Sequence, residues 1–176
     1  MEVVTKELQE EHVVIERFLP SLEWLSIRLE SGALVDPDLV ELQVKFLRNF
    51  VSACHHRKEE VYVFPRVRGR DSDVDRLIDE LVDEHREAER LEASIEEGWA
   101  SGDLDGVASA ARSLASLLRR HIGVENDVAF AYVEMFLDDD TKRALAREME
   151  SFDAQNGCSA SAYEEVVESI TRAIAG

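Results

Sequence analysis

The sequence contains few of the residues that interrupt helices. Among its 176 residues are only eight glycines and three prolines, while glutamate, leucine, alanine and arginine are abundant. Because glycine and proline are the poorest helix formers and the abundant residues are good ones, this composition favours helices over strands. A chain of this length is sufficient for one domain with a sizeable core and short for two.

The sequence also lacks an excess of positive charge. Its 20 lysines and arginines are outnumbered by 38 aspartates and glutamates, which gives a net charge of -18. Nucleic-acid binding requires a basic surface that neutralises phosphates, and docking on anionic lipid requires the same sign of charge. We therefore expect neither a nucleic acid nor a membrane as partner, and we interpret the charge as a solvated acidic surface.

Cysteines and long apolar segments are equally scarce. The two cysteines, Cys54 and Cys158, lie far apart and fit no CxxC pattern, which predicts no disulfide framework, a packing role for Cys54 and a reducing compartment. The first residues, MEVVTKELQEEH, have neither the basic nor the apolar segment of a signal peptide. No apolar run approaches the length of a membrane span. A cytoplasmic protein is the default expectation.

Helical periodicity and turn signals divide most of the chain into four long helices. The predicted helices cover residues 4–31, 37–68, 72–100 and 103–137. Pro20 should kink the first helix, and Asp36 followed by Pro37 supplies an N-cap and a first helical proline for the second. Long helices that are joined by short turns lie as antiparallel neighbours. The predicted fold class is therefore all-α, an up-down-up-down antiparallel four-helix bundle with additional short C-terminal helices.

The chain is predicted to consist of the bundle and a C-terminal tail. Residues 1–138 form the bundle, and residues 139–176 form a helical extension that packs on it or mediates a homodimer. Asp140-Thr141 begins a short helix in this extension, and residues 152–161, FDAQNGCSAS, are predicted to form a loop. The pattern from Ser161 to Glu164 predicts a capping box at the start of a last helix.

The histidines of the four helices lie at one height in the predicted bundle. They are His12, His55 with His56, His85 and His121. His55 lies 14 residues before Gly69 and His85 lies 14 residues after Asp71, on either side of one turn. Across the other two turns the corresponding spacings differ by one or two residues, which is a few ångströms at a rise of about 1.5 Å per residue. Apolar residues share the side of the histidine on three helices and wrap most of the way round the second, so these histidines should point into the core.

Two glutamates follow the histidines at a fixed spacing. Glu59 lies four residues after His55, and Glu125 lies four residues after His121. Residues four apart are neighbours on one helix face, so each pair can reach one metal ion or bridge two. HHRKEEVYVF and HIGVENDVAF share this spacing, and LQEEH in the first helix resembles LVDEH in the third. The repetition predicts a pseudo-twofold arrangement of ligands around a two-metal centre.

Neighbouring residues leave alternatives open. His56 and Glu60 form a second pair with the same spacing, one residue out of register. Four further residues are interpreted as solvated, ligand-orienting or core residues: Glu16, Glu89, Tyr62 and Tyr132. A ferritin-like site contains the motif Glu-x-x-His. This site is excluded, because no acidic residue lies three positions before His12, His55, His85 or His121.

The combination of EEH, HHRKEE followed by FP, DEH and HIGVE resembles the hemerythrin-like HHE cation-binding domain family, over about residues 4 to 137. The resemblance implies a non-haem di-iron site of the type with four histidines and two glutamates. It also implies that the glutamates and an oxo or hydroxo group bridge two iron ions. Carried over by motif, the metal ligands are His12, His55, Glu59, His85, His121 and Glu125. Such ligands also suit manganese or zinc, and no catalytic residue is predicted besides them.

The resemblance further implies a metalloprotein that binds or reacts with a small ligand, which is oxygen, nitric oxide or hydrogen peroxide. Peroxide- or nitric-oxide-detoxifying activity would make it an enzyme, a point that the sequence leaves open. The alternative is an iron, oxygen or redox sensor, or a module for iron storage, delivery or iron–sulfur repair without turnover. A helical interaction protein without a metal is a third interpretation.

Overall fold

The computed structural model describes residues 3–176, and these residues form six helices and no strand. The predicted all-α class is therefore confirmed. Helix α2 covers residues 37–67 and helix α4 residues 104–136. The other four helices are α1 (Lys6–Glu30), α3 (Ser72–Ser101), α5 (Asp139–Asn156) and α6 (Ala160–Ala175).

Helices α2 and α4 contain π-helical segments, in which backbone hydrogen bonds run from residue i to residue i+5. In α2 these segments are Leu47–His56 and Glu59–Val63, and in α4 the segment is Glu125–Ala129. Such segments are rare and are frequent at functional sites. These segments were not predicted from the sequence.

Polar residues at the turns set the helix boundaries. The Asp36 side chain accepts a hydrogen bond from a backbone N–H of the first turn of α2, and Pro37 lies in that turn, as predicted. Asp71 and Asp103 cap α3 and α4 in the same way, which satisfies backbone N–H groups that have no partner within the helix. The bounds of the four long helices agree with the predicted ones within two residues. Helix α1 continues through Pro20, and the kink stays a prediction.

The buried apolar residues form two clusters, and the histidines lie between them. The first cluster includes Phe18 and Phe46, and the second includes Phe64 and Phe130. Along α1 the second cluster ends before His12 and the first cluster begins after it. The order of the clusters reverses from each long helix to the next, which is consistent with the predicted up-down-up-down order. The clusters therefore enclose the histidines from both sides.

The two C-terminal helices pack on different parts of this core. Leu145 and Met149 of α5 belong to the second cluster, while Val167 and Ile170 of α6 belong to the first. Helix α6 contacts α1 and α2, and α5 contacts α2. The C-terminal extension thus covers the side of the molecule that α1 and α2 form.

Two predictions about the extension are wrong. Residues 152–156, which were predicted to form a loop, complete α5, and Gly157 ends this helix with a φ of 68°. The aromatic ring of Phe152 packs against Tyr62, which favours the longer helix. The predicted capping box from Ser161 is also wrong, because the Ser159 side chain caps α6 by accepting a hydrogen bond from the backbone of Ala162.

The prediction that the cysteines form no disulfide is wrong as well. Cys54 and Cys158 form a disulfide that links α2 to the turn between α5 and α6, with a sequence separation of 104 and Cα atoms 5.5 Å apart. Sequence spacing could not show this proximity, since it arises only when the C-terminal extension folds back onto α2. Disulfides persist mainly in oxidising compartments, so the cysteines no longer support the predicted reducing compartment.

None of the helices in residues 3–176 combines the length and the apolar character that crossing a lipid bilayer requires. The predicted cytoplasmic location stays a prediction.

Candidate metal centre

The structure brings the six predicted ligands together between the two apolar clusters. Each of these residues is at most 1% exposed. Potential ligand atoms lie within 4.8 Å of one another in two groups, His12, His55, Glu59 and Glu125, and Glu59, His85, His121 and Glu125. The two glutamates belong to both groups. This arrangement can hold two cations side by side with the glutamates between them.

The histidines meet in two pairs through their Nε2 atoms. The Nε2 atoms of His12 and His55 are 2.9 Å apart, and those of His85 and His121 are 3.0 Å apart. Each pair joins two helices that are consecutive in the sequence. The pairs are related by the pseudo-twofold repeat, since His12 corresponds to His85 and His55 to His121.

Acceptors at the opposite ring nitrogens fix the direction of all four imidazoles. Every Nδ1 atom lies 2.8 Å from one oxygen acceptor. The partners are Asn126 for His12, Glu11 for His55, Glu60 for His85 and Glu84 for His121. Hydrogen bonds from the histidines hold the pKa of Glu60 and of Glu84 below the usual value, so these carboxylates stay ionised and accept hydrogen bonds that the Nδ1 N–H groups donate.

An imidazole that donates from Nδ1 and is neutral carries a lone pair at Nε2. In each pair two such lone pairs would face each other at about hydrogen-bond distance, which is repulsive unless a cation or a proton lies between them. Metal-ligating histidines characteristically donate their other ring N–H to a carboxylate or a carbonyl oxygen. The orientation of the four histidines is therefore that of metal ligands.

The shared carboxylates need a cation as well. No oxygen of Glu59 or Glu125 takes part in a well-directed hydrogen bond, although Glu125 lies 3.1 Å from Nε2 of both His12 and His121. Both carboxylates are fully buried, and a buried carboxylate without compensation costs several kcal/mol. Imidazole nitrogen and carboxylate oxygen suit iron, manganese and zinc. The residues present thus fit a pair of such ions.

The pKa shifts of the histidines indicate which Nε2 atoms carry a proton when no metal is bound. Burial lowers the pKa of His55 to about 3, which keeps this imidazole neutral. Burial alone would also lower the pKa of His121, but the Glu125 carboxylate outweighs burial and raises it to about 9. Without a metal, His121 therefore holds a proton at neutral pH.

Metal binding is expected to release protons and to tighten as the pH rises. Only neutral imidazole coordinates a metal ion, so an incoming ion must displace the proton of His121. Carboxylates around His85 also raise its pKa against the effect of burial, so the apparent affinity should increase as the pH rises towards and above the His121 pKa of about 9. Titration calorimetry in buffers of different ionisation enthalpy measures the released protons. An affinity that is equal below and above this pKa would contradict the expectation.

The residues that orient the histidines follow the same pseudo-twofold repeat. Glu11 directly precedes His12 and supports His55, just as Glu84 directly precedes His85 and supports His121. Asn126 and Glu60 each directly follow a shared glutamate and support His12 and His85, respectively. The sequence analysis missed these roles. The signal was present in the repeated Glu-His pairs and in the polar residue after each shared glutamate.

Lys58 adds a second layer behind His55. Its ammonium group is fully buried and donates to Glu11, to Glu7 at 2.8 Å and to Asp153 of α5 at 2.9 Å. Burial raises the pKa of Glu11 to about 7 although Lys58 opposes this shift. A metal ion bound to His55 would add positive charge and favour the ionised carboxylate. Sequence reasoning did not predict that a lysine would be buried here.

Four of the residues that the sequence left open, the glutamates and tyrosines away from the HxxxE pairs, belong to neither of the two ligand groups. Glu16 and Glu89 are exposed, which agrees with their interpretation as solvated residues. Tyr62 and Tyr132 are half-buried and pack against phenylalanines of the C-terminal half. Glu60 accepts a hydrogen bond from His85 instead of pairing with His56, four residues before it. Glu60 therefore does not supply the shared carboxylate in place of Glu59.

Replacement of Glu11 by glutamine is expected to weaken metal binding by about 10–100-fold, the usual effect of losing an outer partner of a ligating histidine. Glu11→Gln keeps the shape of the side chain but removes the negative charge that makes His55 more basic. Glu10→Gln is the matched control, because Glu10 is exposed and pairs only with Lys6. Competition with a chromophoric chelator measures both affinities. Equal affinities of the two variants would show that Glu11 does not act on the metal.

Comparison with known proteins agrees with this geometry. A sequence model described as the hemerythrin HHE cation-binding domain matches residues 3–133. Among curated proteins and solved structures, no match was found. The matched region covers most of the chain and includes all six residues of the two ligand groups. The chain therefore belongs to the hemerythrin HHE cation-binding domain family.

Proposed function

We propose that the protein is a non-haem di-iron protein that binds or reacts with oxygen, nitric oxide or hydrogen peroxide. The observation that carries this proposal is the pair of facing Nε2 contacts with two buried carboxylates between them that accept no well-directed hydrogen bond from residues 3–176. One iron would be held by His12 and His55 and the other by His85 and His121. Glu59 and Glu125, together with an oxo or hydroxo group, would bridge the two ions.

The donor set supports a reactive centre more than a closed structural one. Four imidazoles and two carboxylates do not fill the coordination of two metal ions that each prefer five or six ligands. Bound iron would supply redox chemistry and open positions for a small ligand. The chain contributes the orientation of the imidazoles, which the Nδ1 hydrogen bonds fix, and the apolar clusters, which limit access of water.

The burial of the site supports a ligand of only a few atoms. The six side chains are at most 1% exposed, so a large substrate would reach them only if the helices separated. Diatomic molecules and peroxide are small enough to pass between packed side chains as these fluctuate. Turnover of peroxide or nitric oxide is one form of the proposed reactivity.

Anaerobic reconstitution with Fe²⁺ tests the proposal. The iron content should approach two ions per chain, and exposure to oxygen, hydrogen peroxide or nitric oxide should change the absorption spectrum of the iron centre. Parallel loading with manganese or zinc shows whether the site prefers iron. A fully loaded protein whose spectrum responds to none of the three molecules would contradict the proposed reactivity while leaving metal binding intact.

One observation favours a second candidate, a sensor or iron-handling module. A continuous set of contacts leads from His55 through Glu11 and Lys58 to Asp153 of α5. Cys54, which precedes His55, is covalently joined to Cys158. The state of the metal site could thus be transmitted to the C-terminal extension, which a partner protein would recognise. Hydrogen exchange of α5 and α6 with and without metal is the test, and identical exchange would exclude this route.

A further inference from the structure

We infer that His56 is a fifth histidine ligand and that it belongs to the metal position formed by His85 and His121. The inference rests on the proposed function in one respect, namely that the centre binds two metal ions. Its consequence is that the two ions have unequal ligand sets. The position of His12 and His55 would have two histidines, and the other position would have three.

The burial of His56 is the first observation. Its side chain is among the buried polar residues at 3% exposure, and its Nδ1 atom has no hydrogen-bond partner among residues 3–176. The other four histidines all have a partner at Nδ1. A buried imidazole nitrogen without a partner is unfavourable, so this nitrogen needs an electron-pair acceptor.

The position of His56 identifies the acceptor. Potential ligand atoms of His56, His85 and His121 lie within 4.8 Å of one another. The ring of His56 stacks on that of His85 at 3.8 Å and meets that of His121 edge-on at 5.5 Å. Its distance to the ring of His55, its neighbour in sequence, is larger at 5.7 Å. His56 therefore faces the metal position of α3 and α4.

The π-helical segment Leu47–His56 explains how one helix directs two adjacent histidines inward. In an α-helix, adjacent side chains diverge by about 100°, which would turn one of them away from the core. A turn closed by i to i+5 bonds contains more residues, so adjacent side chains diverge less. His55 and His56 are consequently both buried, and each faces a different metal position.

The alternative is that His56 only holds the ring of His85 in place by stacking on it. Another aromatic residue already stacks on this ring. Phe64 stacks on His85 with ring centroids 6.0 Å apart, and its pseudo-twofold counterpart Phe130 stacks on His12 at 5.4 Å. The counterpart of His56 in the repeat is Ile122, which carries no donor atom. His56 is thus an addition to one side of the centre, and it brings a nitrogen rather than only a ring.

The test compares His56→Phe with Phe64→Leu in anaerobic titrations with Fe²⁺. His56→Phe retains an aromatic ring but cannot coordinate, whereas Phe64→Leu removes the other ring that stacks on His85 and no donor. We expect His56→Phe to weaken the binding of one of the two ions by about 10-fold or more, whereas Phe64→Leu, which loosens the ring of His85 but removes no donor atom, should weaken it clearly less than His56→Phe does. Competition with a ferrous chelator measures these affinities, and Mössbauer spectra of the loaded proteins should lose the inequivalence of the two irons only in His56→Phe.

His56→Gln provides a second variant, and thermal unfolding of the metal-free variants verifies that each is folded. Wild-type affinities and spectra in both His56 variants would overturn the inference but not the proposed function. The same result for Phe64→Leu as for His56→Phe would also overturn it, because stacking would then explain the effect. A wild-type protein that binds no iron would overturn both proposals.

Discussion

Removal of the metal ions is expected to lower the melting temperature of the protein by about 8–16 °C. A ligand at about 1,000 times its dissociation constant stabilises the folded state by about 4 kcal/mol, and about 1 kcal/mol shifts the melting temperature of a chain of this size by about 2–4 °C. The physical reason is local, because without the ions a proton on His121 replaces the metal charge beside Glu125, and the facing Nε2 atoms of each histidine pair lie at hydrogen-bond distance without a cation between them. Thermal unfolding followed by circular dichroism, with chelator and after reloading, measures the shift.

A variant without the shared carboxylates isolates the cause. The double substitution Glu59→Leu with Glu125→Leu should abolish the effect of metal on the melting temperature. Replacing buried charged groups with apolar residues of similar size is often stabilising by about 1–4 kcal/mol, so the metal-free double variant should melt at or above the metal-free wild type. A wild-type melting temperature that does not change when analysis shows complete loss of metal would contradict the expectation.

The parts of the fold that were predictable from the sequence depend on local signals. The first turns of α2, α3 and α4 are fixed by aspartates that cap the backbone within a few residues, and such signals are visible without the rest of the chain. The convergence of the histidines was predictable for a related reason. Helix rise is constant, so residues equally far from a short turn lie at the same height in neighbouring helices.

Other features depend on contacts between residues that are distant in sequence. The burial of Lys58 requires Glu7 and Glu11 of α1 and Asp153 of α5 at the same place, and a lysine in isolation is expected to be exposed. The disulfide requires that the extension return to α2. The π-helical segments depend on packing round the whole helix, because no glycine or proline within them marks their position.

Reduction of the disulfide between Cys54 and Cys158 is expected to destabilise the protein by about 4–5 kcal/mol, the value of the chain-entropy model for a closed loop of about 100 residues. The two cysteines here are separated by 104 positions in the sequence. The corresponding fall in melting temperature is about 8–20 °C for a chain of this size. Thermal unfolding with and without reductant measures the effect. The matched control is Cys54→Ala with Cys158→Ala, which should melt at the temperature of the reduced wild type and should not respond to reductant.

The contacts of α6 determine which parts of the C-terminal extension loosen when the disulfide is reduced. Tyr163 stacks on Phe50 at 4.5 Å, and Val167 and Ile170 are buried in the first cluster, so α6 should remain docked after reduction. The residues next to Cys158, which are joined to α2 by the disulfide, should gain hydrogen exchange first. Because Cys54 directly precedes His55, loosening at this point should also weaken metal binding in the reduced protein relative to the oxidised one. An unchanged melting temperature after complete reduction would show that the contacts of α5 and α6 alone hold the extension on α2.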